Sequence, residues 1–202
     1  MSDFDLRILS LGAGVQSTAV YLMASEGMFG DRPDYAIFAD TQAEPPWVYE
    51  HLERLESEGQ IPIRRVSAGS LEDDVLQSRD GRSRFASLPL RVKGRDGRSS
   101  LLRRQCTREY KIDPIKREVR SLLGLKKGQR AAGRFLVEEW VGISKDEAQR
   151  AKPSRYPWIK TRWPLLFDVP MARHECQRWI ERRGYTMPKK SSCYFCPFHD
   201  DR

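Results

Sequence analysis

The sequence predicts an α/β protein, a parallel sheet flanked by helices, with a cysteine-bearing segment at its C-terminal end. Three observations carry this reading. Short apolar runs alternate with stretches of helical period. Gly12, Asp40 and Gly142 each fall at the carboxyl end of an apolar run, where parallel sheets hold their ligands. The cysteines are Cys106, Cys176, Cys193 and Cys196, and the last two form a Cys-x-x-Cys pair.

The first apolar run, Leu6 to Leu9, reads as a strand, and a helix is expected from Ser17 to about Glu26. Between them lies Ser10-Leu-Gly12-Ala-Gly14-Val-Gln16-Ser17-Thr18. A strand that opens through small residues into a helix presents unpaired amide groups and the positive end of the helix dipole, which suits phosphate. Gly12 and Gly14 allow close approach of an anion, and Ser17 and Thr18 add hydroxyl donors. No Gly-Lys-Ser/Thr closes the loop, so it is not a Walker loop. The competing reading is an ordinary strand-to-helix turn.

Tyr35 to Ala39, ending at Asp40, reads as a buried parallel strand. Pro45-Pro46 starts a helix from Trp47 to about Glu56, with Val48, Leu52 and Leu55 on one face. Ile61 to Val66 is a third strand, and Ser70-Leu-Glu-Asp-Asp74 an N-capped helix start with acidic first-turn residues. The stretch 79–104 is rich in Arg, Gly and Ser and long for a connection, so it is expected as a mobile lid or binding loop, with a disordered insertion as the alternative. A helix from Asp113 to Leu123 turns Ile115, Val119, Leu122 and Leu123 inward. A basic linker covers Leu125 to Arg134, and Phe135 to Ile143 is a fourth strand. Pro170 to Arg183 is a last helix, stopped by Gly184.

At 202 residues, 39% hydrophobic and 10% aromatic, the chain holds one sizeable domain or one domain with an appendage. No apolar run reaches membrane-spanning length and the start Met-Ser-Asp-Phe-Asp is polar and acidic, so the expected location is cytoplasmic, with no membrane partner. A net charge of +8 favours polyanions, either nucleic acid or nucleotides, over a merely soluble basic surface.

Cys193-Tyr-Phe-Cys196-Pro197 can grip one metal centre from a tight turn, and cysteine followed by proline also occurs in ferredoxin-type loops. Four thiolates suit a [4Fe–4S] cluster or a closed zinc site. Arg103, Arg104, Arg108 and Lys111 around Cys106 favour the anionic cluster, while Cys193-x-x-Cys196-x-x-His199 favours zinc. Cys176 also reads as an ordinary core residue.

Five segments in order resemble the phosphoadenosine phosphosulfate (PAPS) reductase family, within the larger group of adenine-nucleotide alpha-hydrolases that includes N-type ATP pyrophosphatases. They are Gly12 to Ser17, Phe38-Ala-Asp40-Thr41 with Glu44-Pro45, Cys106 to Pro114, Gly142-Ile-Ser-Lys-Asp-Glu147-Ala-Gln-Arg150, and Ser192 to Pro197. The resemblance implies a Rossmann-like core over 1–168 that binds an adenine nucleotide, ATP or PAPS, with Mg2+, followed by a metal-binding segment over 169–202. By carry-over, Ser10, Gly12, Ala13, Gly14, Val15, Gln16, Ser17 and Thr18 hold phosphates, Asp40 and Thr41 lie near the nucleoside, and Gly142 and Ile143 complete the nucleotide site. Arg108, Lys111 and Arg150 become the charge clamps on phosphate or sulfate, and Cys106, Cys176, Cys193 and Cys196 the metal ligands.

The departures from the pattern steer the reading. Val15-Gln16 stands where the family often ends in Asp, Gln105-Cys106 replaces an adjacent cysteine pair, and no Glu-Cys-Gly-Leu-His-like nucleophile is present. If all four cysteines hold a cluster, no thiol remains to attack sulfur. This favours an iron–sulfur ATP pyrophosphatase that activates an acceptor, tRNA or DNA, for sulfur transfer from a donor or thiol protein. Trp158, Trp163 and Phe167 among basic residues suit base stacking, or else belong to the core. The rivals are a PAPS or APS reductase served by an external thiol and a zinc-stabilised nucleic-acid-binding module. A nicotinamide dehydrogenase lacks its third glycine here.

Overall fold

The computed structural model describes residues 3–79, 88, 91–95, 97–101, 105–194 and 196. Five parallel strands form the main sheet: β1 (Leu6–Ser10), β2 (Tyr35–Asp40), β3 (Ile63–Ser67), β6 (Val137–Val141) and β7 (Ile159–Arg162). Their spatial order is β3-β2-β1-β6-β7, with Leu9 opposite both Ala36 and Trp140. The order reverses direction at β1, so the glycine-bearing loop after β1 sits at the topological switch point of the sheet. The expected parallel sheet is therefore present, with β7 an addition that its short polar sequence, Ile-Lys-Thr-Arg, did not announce.

Side chains alternate across the strands and build two cores. On one face Leu9, Phe38 and Trp140 pack against α1 (Val15–Ser25), α2 (Pro46–Glu58) and α6 (Arg173–Arg182). α1 is the centre of this layer, and all of its residues are buried. Each large apolar side chain so buried contributes about 1.5–3 kcal/mol relative to exposure. Tyr21 brings its polar tip into this core by donating to the carbonyls of Leu55 (3.0 Å) and Ile61 (2.9 Å). On the other face Leu6, Ile8, Val137 and Ile159 meet Val119 of α4 (Asp113–Leu122), together with Leu125, Ala131 and Trp158. Trp158 is thus core, 6% exposed, and takes no part in base stacking.

α4 lies over β2 and β3, so the second face of β6 and β7 is left to line a cleft. The helix is reached through a π-helical turn, Arg108–Ile112, and helical backbone begins at Cys106, earlier than the sequence periodicity placed it. α3 (Leu71–Arg79) starts where expected, with the Ser70 hydroxyl accepting from the Asp73 amide at 3.1 Å. The segment 79–104 falls largely outside the described residues. Its described part is an antiparallel pair, β4 (Arg91–Lys93) and β5 (Ser99–Leu101), with Leu88 buried against Leu71 and Tyr110. A short α5 (Pro164–Phe167) follows β7. Among the described residues no helix is long and apolar enough to cross a membrane.

Candidate functional site

The ends of β1, β2 and β6 meet at one edge of the sheet, and each feeds a turn that carries residues singled out from the sequence. The turn after β1 bends at Ala13, whose φ of 54° is left-handed for a residue with a side chain. Gly14 caps α1 in extended conformation, and the first helical bond runs from the Thr18 amide to the Gly14 carbonyl at 2.9 Å. The amides ahead of Thr18 therefore have no acceptor in the preceding turn of helix. Ser17 ties the loop to itself: its hydroxyl accepts from the Gly12 amide (3.2 Å) and donates to the Gly14 carbonyl (3.1 Å). Thr18 behaves otherwise. Its side chain is fully buried and its hydroxyl meets His51 Nε2 at 2.9 Å, away from the loop. Burial, helped by the charge of Arg54, lowers the His51 pKa to about 4, which keeps the imidazole neutral.

The turn after β6 is pressed against the same loop. A Cβ on Gly142 would stand 2.8 Å from the Ser17 amide nitrogen, so the two backbones are in direct contact. Gln16 knits the neighbourhood together. Its amide nitrogen donates to the Ser144 hydroxyl (3.3 Å) and Glu147 (3.2 Å), and its carbonyl accepts from Arg173 at 2.9 Å. The position where an acidic residue was expected thus fastens α1 to the 3-10 turn Lys145–Arg150 and to the start of α6.

The turn after β2 makes a second centre. Asp40 accepts from the Gln42 amide (2.7 Å) and the Tyr49 hydroxyl (2.9 Å), and Gln42 is left-handed with φ of 57°. Burial and the Asp40 carboxylate raise the Tyr49 pKa, so its hydroxyl stays a donor. Beyond it, Glu44 has a side chain only 1% exposed, and Lys111 Nζ reaches its Oε1 at 2.9 Å. Cys193 Sγ lies 3.2 Å from the Thr41 hydroxyl and donates to Glu44 Oε1 at 3.7 Å. Burial pushes the Cys193 thiol up, while Thr41 and Lys111 work in the opposite direction. Cys106 and Cys193 pack against one small core of Leu71, Leu88 and Tyr110, and both thiols act on the charge of Lys111. Cys196 follows in a turn closed by its amide on the Cys193 carbonyl at 2.9 Å. Glu44 Oε2 and Ser192 Oγ are buried with no hydrogen-bond partner among the described residues.

The segment bearing Cys193 is fastened on three sides. The Ser191 hydroxyl donates to the Gly12 carbonyl, the Tyr194 amide to Ala43 at 3.1 Å, and Trp47 Nε1 to the Lys190 carbonyl at 3.1 Å.

Cys176 is not brought to the other thiols. It sits on α6, fully buried in the α1-side core, and burial raises its pKa to about 12. The four-cysteine ligand set expected for a cluster or a zinc ion therefore does not assemble, because a core position on a packed helix cannot also face the sheet edge. Among the described residues no group of three or more His, Cys, Asp or Glu side chains stands ready to hold a metal ion, and His199 lies outside them. Replacing Cys176 with Ser should lower stability by about 1–3 kcal/mol, the cost of an unsatisfied buried hydroxyl. Any iron or zinc that copurifies should be retained. Urea unfolding and metal analysis of the variant check this, and loss of metal would return Cys176 to the ligand set.

The predicted charge clamps separate. Lys111 serves the Glu44 centre, whereas Arg108 and Arg150 line a cleft of ≈ 1080 Å3 between α4 and strands β6 and β7. Arg108 leans on Asp113 (3.7 Å) and Arg150 on Glu147 (2.7 Å). Ile143 lines the same cleft, as does Trp163, whose ring meets the 76% exposed Phe167 edge-on at 6.2 Å. On the cleft floor Glu139, which sequence reasoning missed as a plain strand residue, accepts from the Ser10 hydroxyl at 2.6 Å. The signal for it was the alternation itself, which puts a carboxylate on the same face as Val137 and Val141.

No family model matches the chain, and no curated protein matches it. Among solved structures, the chain is similar to the crystal structure of phosphoadenylyl-sulfate (PAPS) reductase from Candida auris in its phosphate complex. The TM-score is 0.60, with 14% identity over 95% of this chain and 83% of that one. At that identity the likeness is one of architecture, and it agrees with the parallel sheet, its switch point and the flanking helices: the chain has a PAPS reductase-like α/β fold.

Proposed function

We propose that this protein is an adenine-nucleotide-dependent enzyme of sulfur transfer, which cleaves ATP between the α and β phosphates to activate a nucleic acid acceptor. The observation that carries the reading is the shared edge of the sheet. The glycine-bearing loop at the start of α1 and the Cys193 thiol near Lys111 are joined there by the Ser191 contact to Gly12. In this reading Gly12 to Ser17 bind the β and γ phosphates, with Mg2+ as counter-ion, and Asp40 and Thr41 border the nucleoside. Lys111 acts as a point charge on the reacting end of the nucleotide. Such reactions rest on positioning and electrostatic stabilisation, which fixed amides and the charge of Lys111 would supply. The four-thiolate cluster does not fit these residues, so no step is assigned to it.

The test is incubation with ATP and Mg2+, with and without RNA or DNA, followed for AMP and pyrophosphate. A second reading, PAPS reduction, is favoured by one observation: Cys106, Cys193 and Cys196 are free thiols among the described residues, so a nucleophile for sulfur is present. The structure of similar fold is named as a PAPS reductase. Release of sulfite from PAPS, with no AMP from ATP, would select it.

The placement of the nucleotide has its own check. Among the described residues a Cβ at position 14 would meet only the Ser191 hydroxyl, at 3.7 Å, which leaves room there. Gly14→Val should therefore fold, yet lose nucleotide affinity by at least about tenfold (1.4 kcal/mol) because the side chain occupies the approach of the phosphates. Equal ATP affinity in equilibrium dialysis would move the nucleotide elsewhere.

A further inference from the structure

The cleft on the second face of the sheet is separate from the phosphate loop, none of whose residues from 11 to 18 lines it. At ≈ 1080 Å3 it lies above the range of about 300–1,000 Å3 usual for small-molecule sites. Its floor is apolar, with Ile8, Val141 and Ile159, apart from Glu139, which accepts from the Ser10 hydroxyl at 2.6 Å. Its rim is basic. Arg150, Lys152 and Arg155 follow one another along an irregular stretch of chain, and Lys152 and Arg155 have no ion-pair or hydrogen-bond partner among the described residues. Two rings stand on the walls. Trp163 is one. Tyr156 is the other, and Lys116 fixes it by donating to its hydroxyl at 2.6 Å.

We propose that this cleft takes one extruded base of a single-stranded nucleic acid, with Lys152 and Arg155 on the flanking phosphates and Glu139 reading the edge of the base. The inference rests on the reading of the protein as one that acts on a nucleic acid acceptor, and it names where that acceptor binds. Unpartnered cations at a rim match a phosphate backbone. Rings over an apolar floor match a base face. A hydrogen-bonding carboxyl at the bottom of such a cleft is out of reach of a base still stacked in a duplex, and only an unstacked base can descend to it. Burial raises the pKa of Glu139 while the Ser10 hydrogen bond works in the opposite direction, and the carboxyl has a second oxygen to offer the edge of the base. Ser10 is also the residue from which the chain enters the phosphate loop, so a base held here lies beside a nucleotide bound there.

The experiment is fluorescence anisotropy of labelled RNA and DNA oligonucleotides over a salt series, with ATP affinity measured in parallel. The parent should bind single strands more tightly than the duplex of the same sequence. The double variant K152A/R155A should weaken strand binding roughly tenfold or more and flatten the log–log salt slope by about 1.4, two phosphates at about 0.7 each. Glu139→Gln should change the ranking among homopolymer strands while leaving the salt slope as it was. Equal affinity for duplex, an unchanged ranking with Glu139→Gln, or a parallel fall in ATP affinity with K152A/R155A would each overturn the proposal. The two readings fail separately. Strand binding without AMP release sinks the proposed reaction and keeps the cleft, whereas strand-stimulated AMP release of equal extent in K152A/R155A sinks the cleft and keeps the reaction.

Discussion

Lys111→Ala is expected to lower the unfolding free energy by about 2–3 kcal/mol, because it leaves the Glu44 carboxylate buried without its counter-charge. Glu44 is the more deeply placed partner, with 1% of its side chain exposed against 37% for Lys111. Solvent around the lysine end therefore puts the loss at the lower edge of what a fully buried pair gives. The sign with pH follows from Lys111. Burial works against its charge, but Glu44 at 2.9 Å, with Cys193 and Cys106, outweighs this and raises its pKa above the ordinary 10.5. The folded protein thus holds this proton more tightly than the unfolded chain. The stabilisation is fully present below about pH 10.5 and fades as the pH climbs through the raised folded value. Urea unfolding of parent and variant at neutral pH and near pH 11 should show two curves that converge at the higher pH. Pairing Lys111→Met with Glu44→Leu should recover much of the loss, since an apolar pair removes the stranded charge. A single variant within about 0.5 kcal/mol of the parent would mean that the pair is solvated, and that Lys111 has no privileged place beside the thiols.

Gly142→Ala is the second large effect. The added methyl would lie 2.8 Å from the Ser17 nitrogen, 2.9 Å from the Ser17 Cα and 3.0 Å from the Gln16 carbonyl carbon. All three are backbone atoms of the first turn of α1, so no side chain can rotate away and the end of β6 must part from the helix. Overpacking of this kind costs about 1–3 kcal/mol. The greater consequence is local: the amides ahead of Thr18 move with α1, and affinity for ATP should fall by at least about tenfold, equal to 1.4 kcal/mol. Thermal unfolding and equilibrium dialysis on the same preparation separate the two effects. A variant that keeps both stability and ATP affinity would show that the close approach of Gly142 to α1 has no role in shaping the loop.

The parts of the fold that could be read from sequence are those whose residues state their own environment. Tyr35 to Ala39 is apolar throughout because both faces of that strand are covered, and α1 was legible for the same reason. β7 was not, since Ile-Lys-Thr-Arg at the sheet edge owes its pairing to β6 rather than to its composition. The helix at Cys106 was missed because a π-helical turn shifts the phase of the side chains, and a period of 3.6 does not run through it. Within the candidate site, the turns at the glycine loop and at Asp40 were legible through punctuation. The Lys111–Glu44 pair is 67 residues apart in the chain, and nothing local to either side chain names the other. Cys176 shows the converse limit: a cysteine on the inner face of an amphipathic helix has the same letter as a ligand, and only the packing of α6 against α1 tells them apart.

The Ser191 hydroxyl on the Gly12 carbonyl gives the two ends of this edge a common tether, for Cys193 lies two residues beyond it along the chain. If an anion bound at the loop repositions the Gly12 peptide, the tether passes that strain to the thiol, and modification of the thiol acts back on the peptide. Thermodynamic reciprocity would then make the two influences equal in size, so that comparing phosphate affinity of the parent with that of the alkylated protein measures the coupling.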